Sequence, residues 1–422
     1  MKNNEIETIT GTRVIHSNHH LPTKGGLRFS ETSQEDLESL AEIMSYKASL
    51  HNIPFGGAKG CININPDKYT FEEKVRITRR YTVEMWKRSM ISASTDVMSP
   101  DIGTDEKIMN VIKETYKLIS QNSPVDIDAV VTGKSSNFGG LQFGSNAAGY
   151  GIARAIKFLD ENLQTNNIFK KSKLEHHSGN VKRSVIFHGF NFNHYVAARK
   201  LRFNDYKIVG ITDDDHGAYS PMGFDPVEMW QYKKRNGTFK GISKSINPPE
   251  NIISQKCDIF VAGLKELSID KSIVEKLKCK VIVEAINNPL TKEAYELAKE
   301  RGILVIPDLI AYSGGFIMSY LEWLKNLEHK NLTLLFKRFD ANQKIHLMRL
   351  VSDTQLKSEL EEISGPEENE LVTSTLEEIM DNSFLNALKI AEIHNIDLKT
   401  ACIKIALERI FNRYYESSGN LI

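Results

Sequence analysis

The spacing of hydrophobic positions changes near residue 145 and divides the chain into two regions. Before that point apolar residues recur at helical intervals. Leu37, Leu40, Ala41, Met44 and Ala48 share one face and predict a helix over 34–50. The glycine-rich stretch PFGGAKG then predicts a loop. Helices are expected over about 70–90 and over 105–120, the latter with Thr104 as its N-cap. Beyond 145, apolar runs of four to six residues alternate with helical stretches. SVIF (Ser184–Phe187), KIVGI (Lys207–Ile211), CDIFVAG (Cys257–Gly263), KVIVEA (Lys280–Ala285) and ILVIPD (Ile303–Asp308) read as strands covered on both faces. With a helix from about His194 to Phe203 after the first of them, this is the pattern of a doubly wound, nucleotide-binding domain. Past Trp323 the chain turns helical and charged. Its acidic run SELEEISGPEENELV has a turn at Gly365-Pro366, and an amphipathic helix, IDLKTACIKIALERIFNRYYE, lies near the end.

Composition adds mainly exclusions. A chain of 422 residues is too long for a single core, so two domains with appendages are expected. The 54 basic and 54 acidic residues cancel, which argues against electrostatic capture of nucleic acid or an anionic membrane. No apolar run approaches a bilayer span. Cys61, Cys257, Cys279 and Cys402 form no CxxC pair, so neither a metal site nor a disulfide framework is expected, and a reducing compartment follows. The opening MKNNEIETIT has neither an apolar segment nor an Arg-rich amphipathic helix, so it gives no targeting signal.

Several motifs fall in a telling order: KGGLRF (Lys24–Phe29), MSYK (Met44–Lys47), PFGGAKG (Pro54–Gly60), SPDIGT (Ser99–Thr104), VTGK (Val131–Lys134), VIPDLIAYSGG (Val305–Gly315) and SYLEWLKNLEH (Ser319–His329). From about residue 11 onward the chain resembles the glutamate/leucine/phenylalanine/valine dehydrogenases. The last motif, the helical excursion after it and DLKTACIKIALERIF narrow the resemblance to animal-type glutamate dehydrogenases. It implies an α/β fold: a mixed α/β substrate-binding and oligomerisation domain over 1–145, shortened at its N-terminus and completed by a C-terminal helix over 397–422. A Rossmann-type NAD(P)-binding domain over 146–320, a short helical antenna over 325–375 and a connecting helix over 376–396 are the other parts. It further implies a homo-oligomer, a hexamer by family, or a mixed oligomer with a paralogue. A mitochondrial location is implied as well, with the cytoplasm left open.

The same resemblance assigns roles. Lys24 and Lys47 would hold substrate carboxylates as flexible point charges, and Ser319 would add a hydroxyl at the distal one. Lys59, its pKa depressed by neighbouring cations and partial burial, would act as a base toward the attacking water, and Asp101 would exchange protons with the substrate nitrogen. NAD or NADP would be held by Gly189, Asn191, Asp213 and Asn287, Asp213 standing where an acid meets the adenosine ribose.

Departures cluster on this cofactor side. The GxGxxG turn reads GFNFNH (Gly189–His194), with Asn191 at the close-approach position, where it tolerates positive φ, and His194 at the packing position, where it would push the helix outward or rotate it. Gly144 replaces a substrate-site arginine, a charge-assisted contact worth roughly 1.5–3 kcal/mol. Ala148 replaces a threonine, Tyr312 an asparagine, and Ile286 makes EGAN read EAIN. Two readings follow: NAD(P)-dependent oxidative deamination of glutamate, or an inactive paralogue kept as a structural or regulatory subunit. An amino-acid dehydrogenase with another substrate is a third, resting on Gly144. LEEIMDNSFLNALK (Leu376–Lys389) is acidic where the family carries arginines, which weakens the expectation of purine-nucleotide control.

Overall fold

The computed structural model describes residues 7–120, 126–171, 174, 183–242, 245–246, 249–328 and 367–417. Most of the antenna expected over 325–375, with the turn at Gly365-Pro366, lies outside them. The strands are β1 (Gly11–Ser17), β2 (Thr23–Phe29), β3 (Gly56–Ile62), β4 (Asp96–Pro100), β5 (Ser184–His188), β6 (Lys207–Thr212), β7 (Gly217–Tyr219), β8 (Ser245–Ile246), β9 (Ile259–Ala262), β10 (Val281–Glu284) and β11 (Leu304–Ile306). The helices are α1 (Gln34–Leu50), α2 (Phe71–Lys87), α3 (Glu106–Ile119), α4 (Ala147–Asn162), α5 (Asn167–Lys171), α6 (Phe192–Phe203) and α7 (Pro226–Asn236). After them come α8 (Glu250–Ile253), α9 (Lys271–Lys276), α10 (Lys292–Glu300), α11 (Asp308–Ala311), α12 (Gly314–Glu328), α13 (Glu368–His394) and α14 (Leu398–Ser417).

Two sheets organise them. The first has the order β1-β3-β2-β4, with β1 antiparallel to β3 and the other pairs parallel. The second has the order β11-β10-β9-β5-β6-β7-β8 and is parallel from β11 to β6, with β7 and β8 antiparallel at one end. The apolar runs supply its core: Val185, Phe187, Ile259, Val261, Val281 and Val283 pack with α4, α6, α12 and α13 on one side, and Ile186, Phe260 and Ile282 with α8–α10 on the other. Burial on both faces is what removed the polar alternation from these strands. The expected doubly wound Rossmann-type arrangement is present.

Local chemistry sets the helix starts. Ser33 caps α1, and Thr70 with Glu73 closes a capping box on α2. Asp105, not Thr104, caps α3, its carboxylate accepting from the Ile108 amide at 3.0 Å. Thr104 is diverted: its hydroxyl donates to the Leu27 carbonyl at 2.7 Å and accepts from the Asp101 amide at 2.9 Å, fixing the turn that carries Asp101. The expectation of a loop over PFGGAKG is also corrected. Gly56–Ile62 is strand β3, second in its sheet and buried throughout. Its glycines permit close approach rather than a turn: a Cβ on Gly57 would lie 2.2 Å from the Ser45 hydroxyl of α1.

The C-terminal helix α14 returns to the first sheet. Arg409 donates to the carbonyls of Ser49 and Leu50 at 2.6 and 2.8 Å, and the Tyr414 hydroxyl meets the Ser17 hydroxyl and the Asn18 side chain.

Candidate active site

Register brings the first-sheet residues together. Lys24 pairs with Gly57, placing Gly26 opposite Lys59, and Leu27 pairs with Pro100, placing Arg28 opposite Asp101. Paired residues share a face and residues two apart return to it, so Lys24, Arg28, Lys59 and Asp101 emerge on one side. Gly26 stands between β3 and the end of β4 with no side chain, and a Cβ there would lie 2.8 Å from the Asp101 Cβ. Through that gap the Lys59 ammonium reaches Asp101 Oδ2 at 2.7 Å, where Arg28 Nε also donates at 2.8 Å. Burial pushes the Asp101 carboxyl up, but Lys59 and Arg28 outweigh it and hold the group at about 2.

The substrate lysines sit deeper. Lys24 is buried, and burial together with the nearby Arg13 guanidinium brings its pKa down to about 7, against the opposing pull of Glu322 and Asp96. Lys47, from α1, is brought down to about 8 by burial, with Asp308 opposing. Its ammonium donates to Asn287 Oδ1 at 2.8 Å and to the Tyr312 carbonyl at 3.1 Å. Three donors on an ammonium leave one for a ligand. Ser319 is half-buried on α12, one turn before Glu322, which accepts from Lys134 at 2.7 Å in a buried pair. Phe55, just before β3, packs edge-on against Trp323 and Tyr320 and seats α12 beside the sheet.

Arg28, Glu322 and Lys134 were not anticipated as site residues. Arg28 was findable by alternation, four residues after Lys24 on a strand, and Glu322 by helical spacing from Ser319. Nothing in the sequence pairs Lys134 with Glu322, which are 188 residues apart.

On the second sheet, Gly189 has φ +88° in the turn leaving β5, and a Cβ would lie 2.6 Å from Leu264 backbone. Glycine is required there. Asn191 does not use positive φ. At φ −89° it is the N-cap of α6, its side chain accepting from the His194 amide at 3.2 Å. His194 does not push the helix away either. Its imidazole lies fully buried where Gly263 has no side chain, a Cβ there falling 2.2 Å from Nε2, and Nδ1 accepts from the Asn191 amide at 3.4 Å. Burial holds His194 down at about 4, so it packs as a neutral ring.

A dinucleotide pyrophosphate needs a tight turn, close backbone and outward-facing helix amides. The turn is kept, and the first-turn amides of Phe192 and Asn193 have no acceptor within the helix. The backbone thus fits the group, although Asn191 occupies part of the helix end. Asp213 is heavily engaged: its carboxylate accepts from the Asp215, His216 and Phe239 amides and the Thr238 hydroxyl at 2.7–3.2 Å. These donors outweigh burial and lower its pKa. Tyr312 bridges the two sides, its ring 5.1 Å from the Lys47 ammonium and its hydroxyl 3.3 Å from Asn193 Nδ2. Around Gly144 there is open space.

Comparison with known proteins shows the family. Residues 1–118 match the Glu/Leu/Phe/Val dehydrogenase dimerisation domain, and residues 139–417 match the Glutamate/Leucine/Phenylalanine/Valine dehydrogenase family. The chain is 35% identical over 425 residues to a protein named glutamate dehydrogenase, mitochondrial, of Dictyostelium discoideum, covering 99% of this chain and 83% of that one. It is 30% identical to a glutamate dehydrogenase of Thermotoga maritima, covering 97% and 86%. Among solved structures, the hetero-hexameric glutamate dehydrogenase of Thermus thermophilus shares the fold, with a TM-score of 0.81, 24% identity and coverage of 98% and 86%. Strand register, close-packed glycines and this similarity converge, and the chain belongs to the glutamate/leucine/phenylalanine/valine dehydrogenase family.

Proposed function

We propose that this protein catalyses the NAD(P)-dependent oxidative deamination of L-glutamate to 2-oxoglutarate and ammonium. The observation that carries the reading is the Lys59–Asp101 pair at 2.7 Å on the same face as Lys24 and beside Lys47. Similarity to proteins named glutamate dehydrogenase supports it.

Lys24 and Ser319 hold the distal carboxylate, and the spare N–H of Lys47 holds the other. Lys59, in its neutral amine form, takes the proton of the attacking water and becomes the ammonium that pairs with Asp101, and Asp101, fixed by Arg28, exchanges protons with the substrate nitrogen. Gly189, the first-turn amides beyond Asn191, Asp213 and Asn287 would hold the cofactor, which would supply the hydride acceptor. The protein works as an oligomer, a hexamer by analogy with the family, and in mitochondria by analogy with the Dictyostelium relative. None of the described helices is long and apolar enough to cross a membrane.

Glutamate-dependent reduction of NAD and NADP tests the reading. Lys59→Ala is expected to lower kcat by about 10²–10⁴-fold with the fold intact, and an unchanged rate would remove Lys59 from its role. The second reading, a subunit that keeps the fold without the reaction, draws on Asn191 at the helix end and Tyr312 in the cleft. Calorimetric titration with all four nicotinamide dinucleotides separates the two, since micromolar binding counts against the inactive subunit.

A further inference from the structure

Asp308 is an anomaly. It opens α11, is 1% exposed, and neither carboxylate oxygen has a hydrogen-bond partner among the described residues. Buried polar groups are nearly always paired, so an orphaned carboxylate calls for a specific reason. Its backbone amide is accounted for, donating to Glu284 Oε2 at 3.0 Å. Glu284 in turn is gripped by Lys399 of α14, at 3.1 Å to each oxygen. The carboxylate of Asp308 is therefore left to a different cation, and Lys47 stands 3.8 Å from Oδ2. That is too long for a hydrogen bond but strong as a charge contact in a buried setting.

Among the described residues, the contacts of the Lys47 ammonium come from the segments that follow β10 and β11: Asn287, the Tyr312 carbonyl, the Tyr312 ring and Asp308. The two short hydrogen bonds are to neutral acceptors, and among the described residues Asp308 is the one carboxylate within ion-pair range.

We propose that Asp308 is a positioning residue for Lys47, its otherwise unpartnered carboxylate holding the ammonium charged and aimed so that its remaining N–H points at a substrate carboxylate. This rests on the substrate role given to Lys47 above. The surrounding charges agree with it. Burial acts most strongly against the charged form of Lys47; of the groups opposing burial Asp308 is the strongest, with Glu284 and Asp101 assisting and Lys59 acting the other way. Lys399, from α14, faces both Glu284 and Asp308, and Asp397 and Cys402 lie on the same side. Asp308 thereby connects the C-terminal helix to the substrate cleft through a single charged contact.

Two experiments test this. In the first, 2-oxoglutarate is titrated calorimetrically into the full chain and its Asp308→Asn and Asp308→Glu variants from pH 6 to 9. Asp308→Asn should weaken binding about tenfold at neutral pH and move its alkaline loss about one pH unit toward acid. Asp308→Glu should restore most of both, and in turnover KM should change more than kcat. A binding curve against pH identical to the parent's would overturn the proposal. The second needs neither substrate nor activity: a double-mutant cycle of Lys47→Met and Asp308→Asn read by thermal midpoint. Lys47→Met alone should lower the midpoint by stranding the carboxylate, and adding Asp308→Asn should recover most of the loss. Additive effects would refute the pairing. If the parent binds no 2-oxoglutarate, the functional reading fails while the cycle still decides the pair.

Discussion

Asn191 places an amide at the end of α6 where a phosphate would approach, and it does so as a helix cap with His194 returning the bond. Glycine at an N-cap costs only a few tenths of a kcal/mol relative to asparagine. Asn191→Gly is therefore expected to leave stability nearly unchanged while tightening dinucleotide binding severalfold, as read by NADH fluorescence titration. Lys24 offers a second residue-scale test, through pH. Its pKa falls from 10.5 when unfolded to about 7 when folded, so the unfolded chain binds more protons over that window and this lysine's contribution favours folding increasingly as pH rises through it. Below about 7 the buried charge is a full cost. Lys24→Met should raise the thermal midpoint, more at pH 6 than at pH 10, and abolish substrate binding. A midpoint shift independent of pH would show that Lys24 is not desolvated as described.

At the scale of elements, the contact between Lys59 and Asp101 depends on what β2 lacks. Gly26→Ala would set a Cβ 2.8 Å from the Asp101 Cβ. The resulting overpacking should cost about 1–3 kcal/mol and lower kcat at least as far as KM rises, checked by denaturant midpoint and steady-state kinetics. The same glycines explain what the sequence concealed. Glycine is depleted in strands, so PFGGAKG looked like a loop, whereas it is a strand whose missing side chains admit α1. The strands of the second sheet were legible because burial on both faces leaves unbroken apolar runs such as Val281–Val283. Lys24, Lys47, Lys59 and Asp101 were picked out through the resemblance of their motifs to the family's, not by composition or periodicity. The charges that hold them were not: Glu322 with Lys134, and Asp308 with Lys47, are joined only by the three-dimensional fold.

For the molecule as a whole, α14 is tied to α1 through Arg409, to β1 through Tyr414 and to the second sheet through Lys399 and Glu284. Truncation after His394 should therefore do more than shorten the chain. It strands the buried Glu284 carboxyl, already raised to about 7 by burial, and is expected to abolish activity and lower the thermal midpoint by well over five degrees, roughly the shift of 2–4 °C per kcal/mol multiplied by several lost contacts. A truncated chain with the parent midpoint would show that the helix is an appendage. A groove of about 720 Å³ lies apart from the cleft, between the edge strand β1 and α2, lined by Ile9, Ile62, Tyr81 and Met85 with Arg76 and Glu84. It sits within the stretch matched to the dimerisation domain.

The bare backbone at Gly25, Gly26 and Gly57 has a consequence for how such a protein can diversify. Even a methyl group at these positions would lie 1.6 to 2.8 Å from another strand, helix α1 or Asp101 itself, so the base of the cleft has no slack in which to try alternatives. Room for change lies instead at positions such as Gly144, where an added Cβ would meet nothing within 4 Å. A descendant lineage can change what it accepts, or whether it reacts at all, long before it can change the platform beneath.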